Sequence, residues 1–263
     1  MNSTAYISEL QKLLEQIKVQ QAEAIQKAGV LAADALEAGG IIHAFGSGHS
    51  HLIAEEAFFR AGGLVPVNPI LDGRLAFLDG ALESTMAERE PGYAHEILQR
   101  EEVTSRDIAI VISNSGRNAV SIEMALELRS MGLKVIAITN VNQSRQSASR
   151  HVSGKRLFEL ADIVIDNCVP AGDAVLPLLD GRFNQSMGPA STVVGAAIVN
   201  SIMIETASEM LLRKLPVPIF RSANLDSSHE AMEALLEQYS NRIRYFRRTS
   251  VNIRKRPFEQ GHV

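Results

Sequence analysis

The chain has 263 residues and a formal net charge of −4, and 46% of its residues are hydrophobic and 21% charged. This length allows a full hydrophobic core, and the charge balance excludes the basic surface of a nucleic-acid-binding protein. Cys168 is the only cysteine, which excludes an intrachain disulfide and a cysteine-based zinc site. No stretch approaches the ~18 apolar residues of a membrane span, and no signal pattern is present. We therefore expect a cytoplasmic protein without a membrane or nucleic-acid partner.

Residues 6–36 carry apolar side chains at spacings of three and four, which predicts one long N-terminal helix. The apolar face of this helix is larger than one sheet easily covers. A partner subunit is a natural cover for the rest of it, so we expect a homodimer or a higher homo-oligomer.

Short apolar runs alternate with helical patterns along the middle of the chain. The predicted strands are residues 41–45, 64–67, 107–112, 134–139 and 162–166. Near-continuous apolar strands separated by helices are typical of a parallel sheet that is buried on both faces. The sequence therefore predicts an α/β fold, a doubly wound three-layer α/β/α sandwich. Residues 68–92 interrupt the alternation with glycines and prolines and are predicted to form a long functional loop.

The C-terminal part is predicted to be helical, with helices at residues 191–215 and 228–247. We expect residues 1–220 to form the main domain and residues 221–263 a C-terminal helical extension and tail. This extension carries a basic cluster, which is typical of a solvated helix face, with an anion or partner contact as the alternative. The cluster consists of Arg242, Arg244, Arg247, Arg248, Arg254, Lys255 and Arg256.

Two glycine- and serine-rich loops each follow a predicted strand and lead directly into a helix. The first loop is Gly46, Ser47, Gly48, His49 and Ser50, and the second is Ser113, Asn114, Ser115, Gly116, Arg117 and Asn118. Ligands of open α/β sheets bind at the carboxyl ends of the strands, and helix N-termini favour anions. The two loops therefore predict a phosphate site, with simple tight turns as the alternative. A dinucleotide site is disfavoured because His51 stands at the third glycine position, and a P-loop lysine is missing.

The order of these motifs resembles the SIS (sugar isomerase) domain of phosphosugar isomerases and phosphosugar-binding regulators. The resemblance implies a five-stranded parallel sheet, a dimer, and a phosphate held mainly by the second loop. The implied ligand-binding residues are Gly46, Ser47, Gly48, Ser50, Ser113, Asn114, Ser115, Gly116 and Asn118. Asn118 stands where the family often has Ser or Thr. Ser191 and Thr192, at a helix start, resemble a third family motif that closes over the sugar phosphate.

The chain as a whole resembles a bacterial group of SIS proteins that carry a C-terminal extension and are related to phosphoheptose isomerase. Residues 221–224 and 242–244 contribute to this impression. Glu55 and Glu56 lie in a segment similar to the one that carries the catalytic glutamate of phosphoheptose isomerases. The alternative for this pair is that one glutamate faces solvent and the other pairs with Arg60.

Two histidines complete the predicted catalytic set. His49 lies inside the first loop and is predicted to contact the ligand, with capping of the following helix as the alternative. His229 is a candidate to reach a site from the C-terminal part, with a polar residue at the start of the last helix as the alternative. A metal is not expected, because His49, His51 and Glu55 straddle a loop-to-helix junction that suits one ion poorly. No cofactor is expected either.

The favoured function is an isomerase that converts a phosphorylated sugar or amino sugar through an enediol. A lyase that eliminates a lactyl ether from a phosphorylated muramic acid is a close alternative, because it starts with the same proton abstraction. A non-catalytic phosphosugar sensor is the alternative outside enzymes.

Overall fold

The computed structural model describes residues 2–178, 185–221 and 229–247, and for residues 229–231 it describes the backbone only. A five-stranded sheet forms its centre. The strands are β1 (Ile42–Gly46), β2 (Val67–Ile70), β3 (Ile108–Ile112), β4 (Lys134–Thr139) and β5 (Ile163–Asp166). They pair in the order β2-β1-β3-β4-β5, and every pair is parallel. The predicted doubly wound α/β sheet is confirmed.

Helices cover both faces of the sheet. They are α1 (Ser3–Gln20), α2 (Ala22–Glu37), α3 (His49–Glu56), α4 (Ala81–Ala87), α5 (Tyr93–Leu98), α6 (Ala119–Ser130), α7 (Val141–Gln146), α8 (Ser191–Leu212) and α9 (His229–Tyr239). One core joins α1, α2, α3 and α8 to the sheet, and a second core joins α5 and α6 to the opposite face. An antiparallel hairpin of β6 (Ala174–Pro177) and β7 (Ser186–Pro189) lies outside the main sheet.

Strand β3 shows why the apolar runs are nearly continuous. Ile108 and Ile110 enter the core with α2 and α8, whereas Ala109 and Val111 enter the core with α5 and α6. All four side chains are buried. A central parallel strand with both faces covered therefore has a nearly continuous apolar sequence.

The packing of α8 against α2 depends on a small residue. A Cβ added to Gly29 would stand 2.4 Å from Cβ of Glu205, so only glycine allows this approach. Within the described ranges, α8 is the one helix long and apolar enough to cross a membrane by length and composition. Its inner side, which includes Ile198 and Ile202, is buried in the core with the sheet.

The single N-terminal helix predicted for residues 6–36 is two helices. The chain leaves helical geometry at Gln21, whose side-chain oxygen accepts a 3.1 Å hydrogen bond from the amide of Asp166 at the end of β5. Much of the apolar face assigned to a partner is covered within the chain, because Leu10, Leu13 and Ile17 are buried in the first core.

The second strand lies later in the chain than predicted. Leu64 forms an antiparallel bridge with Ile219, and the parallel strand β2 begins only at Val67. Strand β2 contains Pro69, which the sheet tolerates because β2 is an edge strand. The segment predicted as a loop over residues 68–92 therefore holds most of β2 and all of α4.

The C-terminal extension is fastened to the sheet by buried ion pairs. Arg242 contacts Asp107 at 2.7 Å, and Arg244 contacts Glu101 at 3.3 Å. The carboxylates of Asp107 and Glu101 are almost completely inaccessible to solvent. The predicted solvated basic face is wrong for Arg242 and Arg244, because their sequence spacing does not reveal the acids across the fold. The remaining basic residues from Arg248 onward lie outside the described residues, and the domain boundary at residue 220 stays a prediction.

Candidate ligand site at the sheet switch point

The two glycine- and serine-rich loops follow neighbouring strands. From β1 the chain crosses to β2 on one side, and from β3 it crosses to β4 on the other side. The crevice between β1 and β3 is therefore the topological switch point of the sheet, where open α/β proteins bind their ligands.

The first loop is shaped by Gly48 and by a contact from the segment after β2. Gly48 has a φ of +55°, and its amide donates a 2.8 Å hydrogen bond to the carbonyl of Leu75. A Cβ at this position would stand 3.0 Å from Oε1 of Glu88. Glycine is required here because the backbone is left-handed and because a carboxylate lies against it.

The polar side chains of the first loop are available to a ligand. The hydroxyls of Ser47 and Ser50 form no hydrogen bond with any described residue. His49 is exposed at the mouth of the crevice, with its ring centroid 4.8 Å from that of Phe77. The loop therefore offers two hydroxyl donors and an imidazole beside an aromatic ring.

The second loop is held rigidly at its base and left open at its tip. The hydroxyl oxygen of Ser113 accepts a 3.2 Å hydrogen bond from the amide of Gly116, and Asn167 donates to the side chain of Asn114 at 2.8 Å. The Ser115 hydroxyl is half-exposed and has no partner within the described ranges. Asn118 precedes α6 without capping it. The amide of Val120 donates to the carbonyl of Glu88, whereas the amides of Ala119 and Ser121 have no acceptor among the described residues and keep their capacity to bind an anion.

Asn118 instead connects two charged side chains. Its Nδ2 donates a 2.7 Å hydrogen bond to Oε2 of Glu88, and its Oδ1 accepts a 3.0 Å hydrogen bond from Nη1 of Arg150. The Ser or Thr expected from the family resemblance is too short to make both contacts. Asn118 thus holds a carboxylate and a guanidinium together at the end of the second loop.

Glu88 is the residue that sequence reasoning missed. It follows α4 inside the segment 68–92, which carries no recognised motif, yet its carboxylate lies against Gly48 of the first loop and Asn118 of the second. Its carbonyl also accepts a hydrogen bond from the amide of Val120 in α6. The signal in the sequence was only that this long insertion is predicted to be functional.

The glutamates predicted as bases lie on the second turn of α3. Glu56 pairs with Arg60 and accepts a 3.1 Å hydrogen bond from Asn200 of α8. Glu55 contacts Nδ1 of His51 at 3.1 Å and is about half exposed. Among the described residues, no hydrogen bond or ion pair joins either glutamate to the two loops, and their catalytic role stays a prediction.

His51 is buried beneath the first loop. Burial lowers the pKa of its imidazole, and the neighbouring Glu55 carboxylate opposes that effect. Its Nε2 is buried and has no hydrogen-bond partner. A neutral imidazole is the form that this environment favours.

The start of α8 is occupied by an acid from its own chain. The carboxylate of Asp173 accepts hydrogen bonds from the amide and the hydroxyl of Ser191, both at 2.7 Å. Ser191 is therefore engaged, whereas Thr192 is half-exposed beside it. His229 begins α9, and its side chain lies outside the described residues. Ligand contacts by these residues stay predictions.

Comparisons with known proteins agree on the family. A model described as the SIS domain matches residues 5–140, which is just over half of the chain. The UPF0309 protein lin2794 of Listeria innocua is 42% identical over 238 residues, covering 90% of this chain and 96% of the relative.

Two solved structures align with the chain at TM-scores just below 0.5. Phosphoheptose isomerase GmhA from Neisseria gonorrhoeae aligns with a TM-score of 0.49 at 16% identity, covering 78% of this chain and 95% of that chain. The Vibrio vulnificus NanR protein complexed with ManNAc-6P aligns with a TM-score of 0.49 at 14% identity, covering 80% of this chain and 64% of that chain. The family model and the 42% identical relative carry the assignment, and the chain belongs to the SIS domain family.

Proposed function

We propose that this protein binds a phosphorylated sugar in the crevice between β1 and β3 and isomerises it through an enediol. One observation carries the proposal: two loops with unpartnered hydroxyls contact the same carboxylate. The hydroxyls of Ser47, Ser50 and Ser115 have no partner among the described residues, and α6 begins without a side-chain cap. Glu88 lies against both loops.

The phosphate binds at the second loop in this proposal. Ser113 and Ser115 donate their hydroxyl protons to phosphate oxygens, and first-turn amides of α6 add further donors. Charge-assisted hydrogen bonds of this kind are stronger than neutral ones, and the helix N-terminus favours the negative charge. A phosphate held here directs the sugar carbons towards the first loop and Glu88.

Glu88 then acts as the general base. Its carboxylate takes the proton from the hydroxyl-bearing carbon next to the carbonyl carbon, and the electron pair of that C–H bond forms the carbon–carbon double bond of the enediol. The carbonyl oxygen receives a proton, for which the imidazole of His49 in the first loop is the candidate donor. The first proton then returns to the former carbonyl carbon, while the hydroxyl of the neighbouring carbon gives its proton back to the acid and becomes the new carbonyl. Substrate and isomer therefore contain the same atoms.

Glu55 and Glu56 remain the alternative bases, and His229 the alternative acid. A lyase would start with the same proton abstraction and then expel a leaving group from the neighbouring carbon. A sensor would bind the ligand without turnover. These alternatives differ in product and not in the first contacts.

The protein is further proposed to be a cytoplasmic homodimer. Ile7 and Val19 of α1, together with Ile204 and Leu211 of α8, are more than half exposed. Both helices cover the same face of the sheet. A second copy of the chain placed on this face would remove these large side chains from water.

A thermal-shift screen over sugar phosphates tests the proposal, with the unphosphorylated sugars as matched controls. A ligand at a hundredfold excess over its dissociation constant adds about 2.7 kcal/mol to the unfolding free energy, which raises the melting temperature measurably. We expect at least one sugar phosphate to stabilise the protein and to be converted to an isomer. In D₂O, uptake of solvent deuterium at carbon would report this conversion. Stabilisation without conversion would support the sensor, and no stabilisation by any sugar phosphate would contradict the proposal.

A further inference from the structure

The arginines of this chain are generally paired with acids. Arg74 contacts Glu83 and Glu90, and Arg100 contacts Asp72. Most other arginines within the described ranges form ion pairs in the same way, including Arg129, Arg156 and Arg213. In a protein with a net charge of −4, acids are available to match the guanidinium groups.

Three arginines beside the candidate site are exceptions. Arg89, Arg117 and Arg150 form no ion pair with any described carboxylate. They are close enough to affect one another: burial lowers the pKa of Arg150, and the positive charges of Arg117 and Arg89 lower it further, against the opposing charge of Glu88. Three like charges that share one nearby carboxylate and form no direct ion pair repel one another in the free protein.

The position of the group relates it to the ligand crevice. The amide of Arg150 donates to the carbonyl of Arg117 at 2.8 Å, and its side chain donates to Asn118 at 3.0 Å. Nε of Arg117 is buried and has no hydrogen-bond partner. A buried N–H of a cation without an acceptor is costly, and an oxyanion of the ligand would supply the acceptor.

The crevice therefore contains two separate sets of anion donors. The neutral set consists of the Ser113 and Ser115 hydroxyls and the α6 amides, and it is sufficient for a phosphate. The cationic set lies beyond Asn118, next to the proposed base Glu88. Guanidinium groups match the geometry of carboxylate and phosphate with paired hydrogen bonds.

We propose that Arg89, Arg117 and Arg150 bind a second oxyanion of the substrate, a carboxylate or a second phosphate. The proposal rests on the proposed function, because the first phosphate is placed on the second loop. The substrate class is then a sugar phosphate that carries a further acidic group, and an ordinary monophosphate lacks one of its two charged contacts.

Titration calorimetry with three probes tests this inference. The probes are glucose 6-phosphate with one phosphate, 6-phosphogluconate with a phosphate and a carboxylate, and fructose 1,6-bisphosphate with two phosphates. We expect at least one doubly acidic probe to bind about tenfold or more tightly than glucose 6-phosphate, which corresponds to one charge-assisted contact. The probe with the larger gain in affinity over glucose 6-phosphate, 6-phosphogluconate or fructose 1,6-bisphosphate, shows whether the second oxyanion is a carboxylate or a phosphate.

Matched variants assign the effect to the arginines. Arg150→Gln, or the exposed Arg89→Gln should Arg150→Gln fail to fold, should remove most of the tenfold preference and leave glucose 6-phosphate binding within about twofold. Arg106→Gln is the control, because Arg106 is an exposed arginine at the opposite end of β3. Ser115→Ala should weaken all three probes alike.

The outcomes separate the two proposals. Equal affinity for all three probes, or equal weakening of all three by the arginine variants, would overturn the second oxyanion site while Ser115 still supports the phosphate site. A preference that depends on Arg150 together with no effect of Ser115→Ala would overturn the phosphate placement instead. Binding of none of the probes would overturn both.

Discussion

Nδ2 of Asn118 donates a 2.7 Å hydrogen bond to Oε2 of Glu88, while Oε1 of the same carboxylate lies against Gly48. One carboxylate is thus fixed between the two loops that follow β1 and β3. This contact is the structural basis for assigning Glu88 as the base.

Replacing Glu88 with glutamine separates chemistry from binding. Glu88→Gln keeps the shape of the side chain, so the dissociation constant of the sugar phosphate should stay within about threefold while turnover falls by ~10²–10⁴-fold. Steady-state kinetics and calorimetry on the same preparation give both values.

Three further glutamine variants make that result specific. Glu96→Gln on α5 is the control, because Glu96 is exposed and lies away from the crevice. Glu55→Gln and Glu56→Gln test the bases predicted from the sequence. Full turnover by Glu88→Gln, together with a loss of turnover in Glu55→Gln or Glu56→Gln, would show that the base lies on α3 and contradict its assignment to Glu88.

The docking of the C-terminal extension is predicted to stabilise the whole chain. Arg242→Gln leaves the inaccessible carboxylate of Asp107 without its guanidinium, which should lower the unfolding free energy by about 3 kcal/mol. Arg247→Gln is the control, because its pair with Glu102 is about half exposed and should contribute under about 1 kcal/mol. Urea denaturation at neutral pH measures both. Equal effects of the two variants would mean that the buried pair adds nothing beyond a surface pair.

The loss of folding stability at acidic pH is predicted to depend on Asp107. Burial alone would raise the pKa of this carboxyl, but hydrogen bonds from His43 and from the amides of Thr104 and Ile41 outweigh it and hold the pKa below its usual value. A carboxyl with a lowered folded pKa stabilises the protein above its unfolded pKa of about 4, and this contribution is lost as the pH falls further.

Urea denaturation of the wild type and Asp107→Asn between about pH 6 and pH 3 checks this sign, since the unfolded carboxyl titrates near pH 4. The wild type should lose stability more steeply on acidification than the variant. Parallel pH profiles would show that Asp107 does not contribute to the acid dependence.

The proposed dimer predicts a mass of about twice 28.6 kDa by light scattering at micromolar concentration. Ile204→Glu places a charge in the exposed stripe of α8 and should shift the protein to monomer, because an unpaired charge is costly to bury. Val152→Glu is a matched control at another exposed apolar position. A wild-type monomer at this concentration would reject the dimer.

The sheet could be predicted from the sequence because the residues within each strand show that the strand is buried. Ile108, Ala109, Ile110 and Val111 are all apolar, as is typical of a parallel strand that is buried on both faces. The two loops were found because glycine and serine at strand ends have a local structural meaning.

The rest of the site depends on contacts between distant segments. Glu88 reaches Asn118 across 30 residues, and Arg242 reaches Asp107 across 135 residues. Neither of these two contacts is indicated by a periodic pattern or a motif in the sequence. The break at Gln21 also escaped prediction, because it depends on a hydrogen bond to Asp166 and not on a helix-breaking residue.

The central claim is that the second loop binds the phosphate of the ligand. Calorimetric titration of a sugar phosphate into the wild type and into Ser115→Ala tests this claim most directly. Ser130→Ala is the control, because Ser130 is an exposed serine at the other end of α6. We predict that Ser115→Ala weakens binding by roughly 1–3 kcal/mol, the value of one charge-assisted hydrogen bond, while Ser130→Ala binds as the wild type does. Unchanged affinity in Ser115→Ala would contradict phosphate binding at the second loop.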